Sequence, residues 1–360
     1  MPKIIHIADF DNIKKTGIGE VVLSLKKTQE DLGNEVFIFN IRRPSQALDQ
    51  NQYYISSFKV FKQYLFQIKP DVIIFHSLYK LNYFIYFLYL KNKYPYLIQP
   101  HGGMTNESLK KGKYKKRICN FLILNKFIGS AKGIIFLNKN EQKENYFGNI
   151  NSNYVLIPNG IWSLNKEKKT FSEEITLGFL ARIDIFQKGL DILLDAILIL
   201  SQDKSKLTNA FKLKIWGYGL DQDVEYLNNR IKSDGLGDLV SYEGPVFDDD
   251  KDEAYSMIDI SILTSRIEGM PMGILEALSF GCPCLITKET NMADTIIKGH
   301  CGWITDLDAS SIAQKIQVAI SDYIINRDSF NANSWNTASS FLWTDIGEKS
   351  VDEYYKLIKS

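Results

Sequence analysis

Two glutamates, Glu268 and Glu276, stand eight residues apart in the stretch SRIEGMPMGILEALSFGCPCLI, Ser265 to Ile286. The strand pattern IDISILT ends near Ser265 and a helix pattern begins near Met272. Glu268 is therefore expected on the connecting loop and Glu276 about one turn inside the helix. A rise of about 1.5 Å per residue leaves the two close enough to grip different parts of one ligand. Carboxylates accept hydrogen bonds from hydroxyls. The amides of Met272, Gly273 and Ile274 would form the positive end of the helix, where an anion is favoured. Two solvated acids flanking a helix start are the competing reading.

Three more places carry comparable residues. After ITLGFLA, Arg182 stands at a strand end and Lys188 just before Gly189 and the next helix. An Arg fork and a Lys point charge at this spacing can close on one diphosphate, or be plain surface cations. In QPHGGM, His101 puts an imidazole on a turn after a strand. After the first strand, Gly17 and Gly19 precede a helix. They permit close backbone approach to a phosphate or sugar, or make a plain tight turn. His6 and His76 lie in or at the end of strands, and only His76 is given a role, in a cleft. Together the four places describe a ligand with hydroxyls and a diphosphate, a nucleotide sugar.

The elements that must hold these residues follow from the apolar pattern. Short runs, KIIHIA (Lys3 to Ala8), EVFIFNI (Glu35 to Ile41), DVIIFH (Asp71 to His76), YLIQP (Tyr96 to Pro100), GIIFL (Gly133 to Leu137) and YVLIP (Tyr154 to Pro158), read as strands. Helical patterns such as Gly19 to Gly33 lie between them. The rhythm restarts after an aperiodic stretch, Pro158 to Glu174, with strands at Ile175 to Ala181, Phe211 to Gly217, Leu239 to Gly244, Ile258 to Thr264, Pro283 to Thr287 and Gly302 to Thr305. Alternating strand and helix imply α/β architecture with parallel sheets wrapped by helices. Two doubly wound, Rossmann-like domains are expected, residues 1–160 and 161–340, facing across a cleft. Ligands of such sheets bind beyond the carboxyl ends of the strands. The segment 341–360, with WTDIGEKSVDEYYKLI from Trp343 to Ile358, reads as an amphipathic helix that packs back on the first domain.

Composition narrows the classes. A chain of 360 residues exceeds what one core usually sustains. Apolar and charged fractions of 45% and 24% are those of an ordinary globular protein. A net charge of +1 gives no global field for nucleic acid, which is not expected as a partner. Cys119, Cys282, Cys284 and Cys301 are too few and irregular for a disulfide framework, and Cys282 and Cys284 read as packed thiols. MPKIIHIADF enters a strand directly, without a signal-peptide plan. YFIYFLYL, Tyr83 to Leu90, is too short to span a bilayer. A cytoplasmic location is expected.

At this point the sequence resembles the retaining glycosyltransferases with the GT-B fold, in particular glycosyltransferase family four. Glu268 and Glu276 match the family's E-x7-E motif. The resemblance runs through GIGEVVLSL, QPHGG, IPNGI, GFLARIDIFQKGLDILLDA, IWGYG, YEGPV, EGMPMGILEAL and FLWTDIGEKSVDEYY, which is almost the whole chain. It implies that Glu268 holds donor-sugar hydroxyls and Glu276 the nucleotide ribose. It implies that Arg182 and Lys188 hold the donor diphosphate and stabilise the leaving group. His101 would stand beside the donor sugar, and Gly17 and Gly19 would form the glycine loop of the acceptor domain. Gly217 and Gly219 would lie by the nucleotide, with Gly269, Met272, Gly273 and Ile274 lining the donor site. Retention at the anomeric carbon comes with the resemblance, as does a reaction without metal or other cofactor, using a UDP- or GDP-sugar as co-substrate. The acidic run Phe247 to Glu253 suits a helix start better than a metal site.

The acceptor is expected to be a saccharide or lipid-linked saccharide. Lys110, Lys111, Lys113, Lys115, Lys116 and Arg117, followed by an apolar stretch, read as a solvated helix face or as a peripheral contact with anionic lipid at the inner face of the plasma membrane. An Ile-, Lys- and Asn-rich composition fits a bacterial source and surface polysaccharide assembly. A non-catalytic sugar-binding subunit and a related GT-B enzyme such as an epimerase are the alternatives. The joint presence of Glu268, Glu276, Arg182 and Lys188 weighs against the first.

Overall fold

The computed structural model describes residues 1–11, 17–105, 123–148, 150–166, 174–202 and 211–359. The basic run Lys110 to Arg117, Cys119, the residues just before Gly17 and the middle of the aperiodic stretch after Pro158 lie outside them. The chain divides into two compact units, Met1–Gly160 with Leu342–Ser360, and Ile161–Phe341.

Unit 1 alternates β1 (Lys3–Ala8), α1 (Gly17–Asp31), β2 (Glu35–Asn40), β3 (Gln52–Tyr54), α2 (Phe58–Ile68), β4 (Val72–His76), α3 (Leu81–Leu90), β5 (Tyr96–Gln99), α4 (Asn125–Gly129), β6 (Gly133–Phe136), α5 (Lys139–Lys143) and β7 (Tyr154–Leu156). Its sheet runs β3-β2-β1-β4-β5-β6-β7, all parallel. The strands are apolar along their length rather than alternating, because helices cover both faces of the sheet. In β1, for example, Ile4 through Ala8 are all buried. β3 was not anticipated. It is a three-residue, half-buried edge strand, too short to show a period.

Unit 2 comprises β8 (Ile175–Leu180), α6 (Leu190–Gln202), β9 (Phe211–Trp216), α7 (Asp221–Ser233), β10 (Val240–Gly244), α8 (Asp248–Met257), β11 (Ile260–Leu263), α9 (Met272–Ser279), β12 (Cys284–Thr287), α10 (Ala293–Gly299), β13 (Gly302–Thr305) and α11 (Ala309–Ala338). Its parallel sheet runs β10-β9-β8-β11-β12-β13. The acidic run after Phe247 forms the first turns of α8. Cys282, Cys284 and Cys301 are buried thiols.

The terminal helix α12 (Trp343–Lys359) belongs to unit 1 and packs on α1. Its Trp343, Ile346, Ser350, Tyr354 and Leu357 are buried, a stripe at helical spacing. Gly347 lies against Thr28 so closely that any Cβ would overlap the Thr28 side chain. That near approach brings Ser350 within reach of α1. Among the described residues no helix is long and apolar enough to cross a membrane.

Candidate functional site

In both sheets the strand order reverses once. In unit 2 the chain builds outward from β8 through β9 to β10, then returns to the other side of β8 with β11. The connections leaving β8 and β11 diverge there, opening a crevice at their carboxyl ends. The loop after β8 carries Arg182 and Lys188, and the loop after β11 carries Glu268.

Backbone fit holds these loops together. Gly189 adopts φ +67° and touches the Thr264 carbonyl, where a Cβ would overlap it. The Thr264 hydroxyl donates to the Gly189 carbonyl at 3.1 Å. Gly273, in the first turn of α9, is packed on the Leu180 carbonyl, 2.9 Å from where a Cβ would stand. Gly217 (φ +152°) and Gly219 run against the backbone of Ala181 and Ile183 with no room for side chains. The segment after β9 is thus laid along the segment after β8, with Ile183 and Gly219 bridged in parallel. These glycines serve close backbone packing at the strand ends.

The charged side chains sort into two pairs. Lys188 Nζ forms an ion pair with Glu268 Oε1, both side chains largely buried. Ser265 Oγ donates to the same oxygen at 2.7 Å. Both recorded bonds fall on Oε1, so Oε2 has no hydrogen-bond partner among the described residues. The Glu268 backbone is pinned by the turn after β12, its N–H donating to the Glu289 carbonyl at 3.2 Å and its carbonyl accepting from Asn291 Nδ2 at 2.7 Å. Glu276 Oε1 pairs with Lys251 Nζ at 2.6 Å, and Oε2 accepts from the Tyr255 hydroxyl at 2.9 Å. Burial and the adjacent Glu276 carboxylate raise the Tyr255 phenol well above its ordinary range, so it remains a donor. Lys251 and Tyr255 share one face of α8 at i, i+4 spacing. Sequence reading passed over both, and over Ser265, because none has a local signal tying it to a carboxylate elsewhere in the chain.

Arg182 and Lys188, expected to hold one diphosphate, both have side-chain partners in the structure. Arg182 Nη2 donates to Asp184 Oδ2 at 3.1 Å and Gln187 Oε1 at 2.9 Å, while Lys188 turns to Glu268. Both cations leave the same loop, Arg182 for acceptors within it and Lys188 for a carboxylate on the loop after β11. The Ile274 amide is also not a free donor of the helix start, since it bonds to the Pro271 carbonyl at 3.2 Å. Met272 and Gly273 remain as first-turn amides, beyond the reach of intrahelical acceptors. Gly269 lies in the same loop, between Glu268 and the helix start.

Unit 1 reverses between β1 and β4. Asp9, just after β1, is gripped by Lys80 and by Arg42, the latter at 2.8 Å. Burial would raise its carboxyl, but hydrogen bonds from the two cations outweigh this and hold it below the usual range. His101 follows β5 at φ +49°, a left-handed conformation uncommon for a residue with a side chain. The turn is pinned from within by Glu141, whose carboxylate is fully buried and accepts from the Gly102 N–H at 2.5 Å and the Leu137 N–H at 2.7 Å. Burial pushes Glu141 up to about 7, against the two backbone bonds. Gly17 opens α1 with nothing among the described residues within 4 Å of where a Cβ would stand, whereas Gly19 packs on the Phe10 ring, 2.9 Å from where its Cβ would be. His76 lies in the unit 1 core, hydrogen-bonded to both His6 and His101. Among the described residues, no three His, Cys, Asp or Glu side chains converge as a metal site would require.

Two doubly wound parallel-sheet units of this kind make up the GT-B fold. Residues 161–336, nearly all of unit 2, match the family model described as Glycosyl transferases group 1. The chain is 26% identical over 167 residues to mannosylfructose-phosphate synthase of Agrobacterium fabrum, a match covering 45% of this chain and 36% of that protein. Among solved structures, sucrose-phosphate synthase from Thermosynechococcus elongatus is similar over 100% of both chains, with TM-score 0.79 and 16% identity. Anabaena HepE, solved in complex with UDP and glucose, is similar over 99% of this chain and 100% of its own, with TM-score 0.73 and 17% identity.

Proposed function

We propose that this protein is a retaining glycosyltransferase that moves a sugar from a nucleotide-sugar donor to a saccharide or lipid-linked saccharide, in surface polysaccharide assembly. One observation carries the reading: at the switch point of unit 2, Glu268 is held by Lys188, Ser265 and its pinned backbone, with Oε2 left open to accept from a hydroxyl. A carboxylate oriented so firmly and then left half unused is what a polyol ligand needs.

The remaining groups fall into place around a donor. Glu276 uses two of its roughly four acceptor positions on Lys251 and Tyr255, leaving capacity for the two ribose hydroxyls. Lys188 has three N–H donors and can keep Glu268 while turning one to a phosphate oxygen. Arg182 has five, of which Asp184 and Gln187 engage one nitrogen. With the first-turn amides of α9, these cations would stabilise the charge that grows on the departing diphosphate. They take the part a metal plays in other transferases. The bond from the anomeric carbon to the diphosphate oxygen breaks, one forms to an acceptor oxygen, and the acceptor proton leaves with the diphosphate. The HepE complex with UDP and glucose supports a UDP-sugar as the donor to try first. Acceptor choice is assigned to unit 1.

A donor screen tests the proposal. Thermal stability and donor hydrolysis are measured with UDP-, GDP- and ADP-sugars, and the anomeric configuration of any product is read by proton NMR. One nucleotide class is expected to raise the melting temperature and Glu268→Ala to abolish turnover. No stabilisation by any of the three would overturn the donor reading, and an inverted product the retaining one.

A further inference from the structure

Unit 1 contains a file of buried polar side chains that the donor chemistry does not use. Ser350 Oγ of α12 lies 2.8 Å from Gln29 Nε2 of α1. Gln29 Oε1 lies 2.9 Å from His6 Nε2. His6 Nδ1 lies 2.9 Å from His76 Nε2, and His76 Nδ1 lies 2.9 Å from His101 Nε2. Ser350, Gln29, His6 and His76 are all within 1% of complete burial. Only the outermost ring, His101, is partly accessible, at the carboxyl end of β5.

Such a file has two self-consistent states. A neutral imidazole has one donor and one acceptor nitrogen, so the direction at one end dictates every ring up to the other. The inner end is decided by Ser350. Its hydroxyl donates to the Gly347 carbonyl at 2.7 Å and therefore accepts from Gln29 Nε2. That turns Gln29 Oε1 towards His6 and makes His6 Nε2 a donor. His6 Nδ1 then accepts from His76 Nε2, and His76 Nδ1 from His101 Nε2. The reverse state would need the Gln29 amide flipped against its anchor.

We infer that Ser350, Gln29, His6 and His76 are positioning residues that hold His101 in the Nε2–H tautomer, leaving its Nδ1 an unprotonated acceptor for a ligand hydroxyl. The hydroxyl partner rests on the transferase reading, while the tautomer does not. The file is an orienting device and not a proton conduit, because it ends on an amide that cannot take up a proton. Burial supports the neutral state of the rings, lowering His6 and His101 to about 4 and His76 well below its ordinary value. The left-handed turn at His101, clamped through Gly102 by Glu141, keeps the last ring in line.

The full chain labelled with 15N-histidine tests this without any substrate. Two-bond nitrogen–proton correlation at pH 7.5 separates protonated from bare ring nitrogens, with His300→Gln and His101→Gln spectra used for assignment. His101 is expected as a single Nε2–H tautomer. An Nδ1–H ring, or a rapidly exchanging mixture, would overturn the inference. Ser350→Ala, a change of one oxygen, leaves Gln29 beside the buried Tyr354 hydroxyl, which can donate as well as accept, so the amide is freed to flip and His101 should become a tautomer mixture. Gln29→Leu removes both the donor and the acceptor facing His6 and should do the same. An unchanged His101 in both Ser350→Ala and Gln29→Leu, with folding confirmed by circular dichroism, would show that the file does not set it. A correct tautomer in a protein that no nucleotide sugar stabilises would sink the transferase reading and leave the file standing.

Discussion

The two units have the same doubly wound plan and place different chemistry around the point where the strand order reverses. Beyond β8 and β11, unit 2 gathers formal charges, the Lys188–Glu268 and Lys251–Glu276 pairs with Arg182 beside them. Unit 1 keeps one charged cluster just past β1, Asp9 with Lys80 and Arg42, and hides in and beside β1, β4 and β5 a file of imidazoles and an amide. The charged pairs lie past the strand ends, Lys188 and Glu268 on loops and Lys251 and Glu276 on α8 and α9, where each ion has an opposite charge in contact. The histidines lie on or next to strands, where the same charges would be heavily desolvated. One topology thus supplies a crevice twice, and depth in the sheet decides whether ions or neutral dipoles line it.

The largest expected effect would break the charged side of this comparison. Glu268→Gln should lower kcat by about 10²–10³ if the carboxylate meets charge only in the transition state, with KM changing less. Steady-state kinetics on the donor identified by the screen checks this. Gly189→Ala should come next. A Cβ at φ +67° against the Thr264 carbonyl forces the two loops apart, and about 2–4 kcal/mol of stability should be lost. Urea denaturation reads it, and an unchanged midpoint would show that the loops do not need their close contact.

Acid should distinguish the units in the other direction. His6 and His101 fall from 6.5 to about 4 on folding, so the unfolded chain binds more protons between those values. Stability from these groups is complete above pH 6.5 and is lost as pH falls towards 4. For fully buried His6 this is on the order of 3 kcal/mol. Glu141 opposes it, because a carboxyl raised to about 7 takes up its proton first in the folded state and so gains as pH falls from 7 to 4.5. Glu141 roughly cancels one histidine, leaving His76 and the other to decide the sign. Hydrogen exchange should show unit 1 losing protection between pH 7 and 5 while unit 2, whose only histidine is the exposed His300, holds. The smallest effect is Lys251→Ala, which removes a partly exposed partner of Glu276 and should change stability by about 1 kcal/mol or less. Its clearer sign would be weaker nucleotide binding by calorimetry.

Much of the frame is legible in the residues. Strand positions such as Lys3 to Ala8 and Pro283 to Thr287 follow from apolar runs bounded by turn residues, because burial on both faces leaves no other pattern. Glu268, Arg182 and Lys188 are found by asking what stands just past a strand. Pairing is harder. The ion pair between Lys188 and Glu268 and the one between Lys251 and Glu276 join residues whose own neighbourhoods say nothing of each other. Arg182 reads as an open cation until Asp184 and Gln187 are seen to claim it.

By itself the sequence determined the alternation of strand and helix, the restart that makes two units, and which side chains stand at strand ends, since each of these is a local matter of period and punctuation. Only the tertiary structure decided partners. His6, His76 and His101 are scattered along the chain and come together because β1, β4 and β5 are neighbours in the sheet. Ser350 reaches Gln29 across 321 residues because Gly347 lets α12 settle against α1. A hydrogen bond requires contact within about 3 Å, and contact between distant segments belongs to the folded chain.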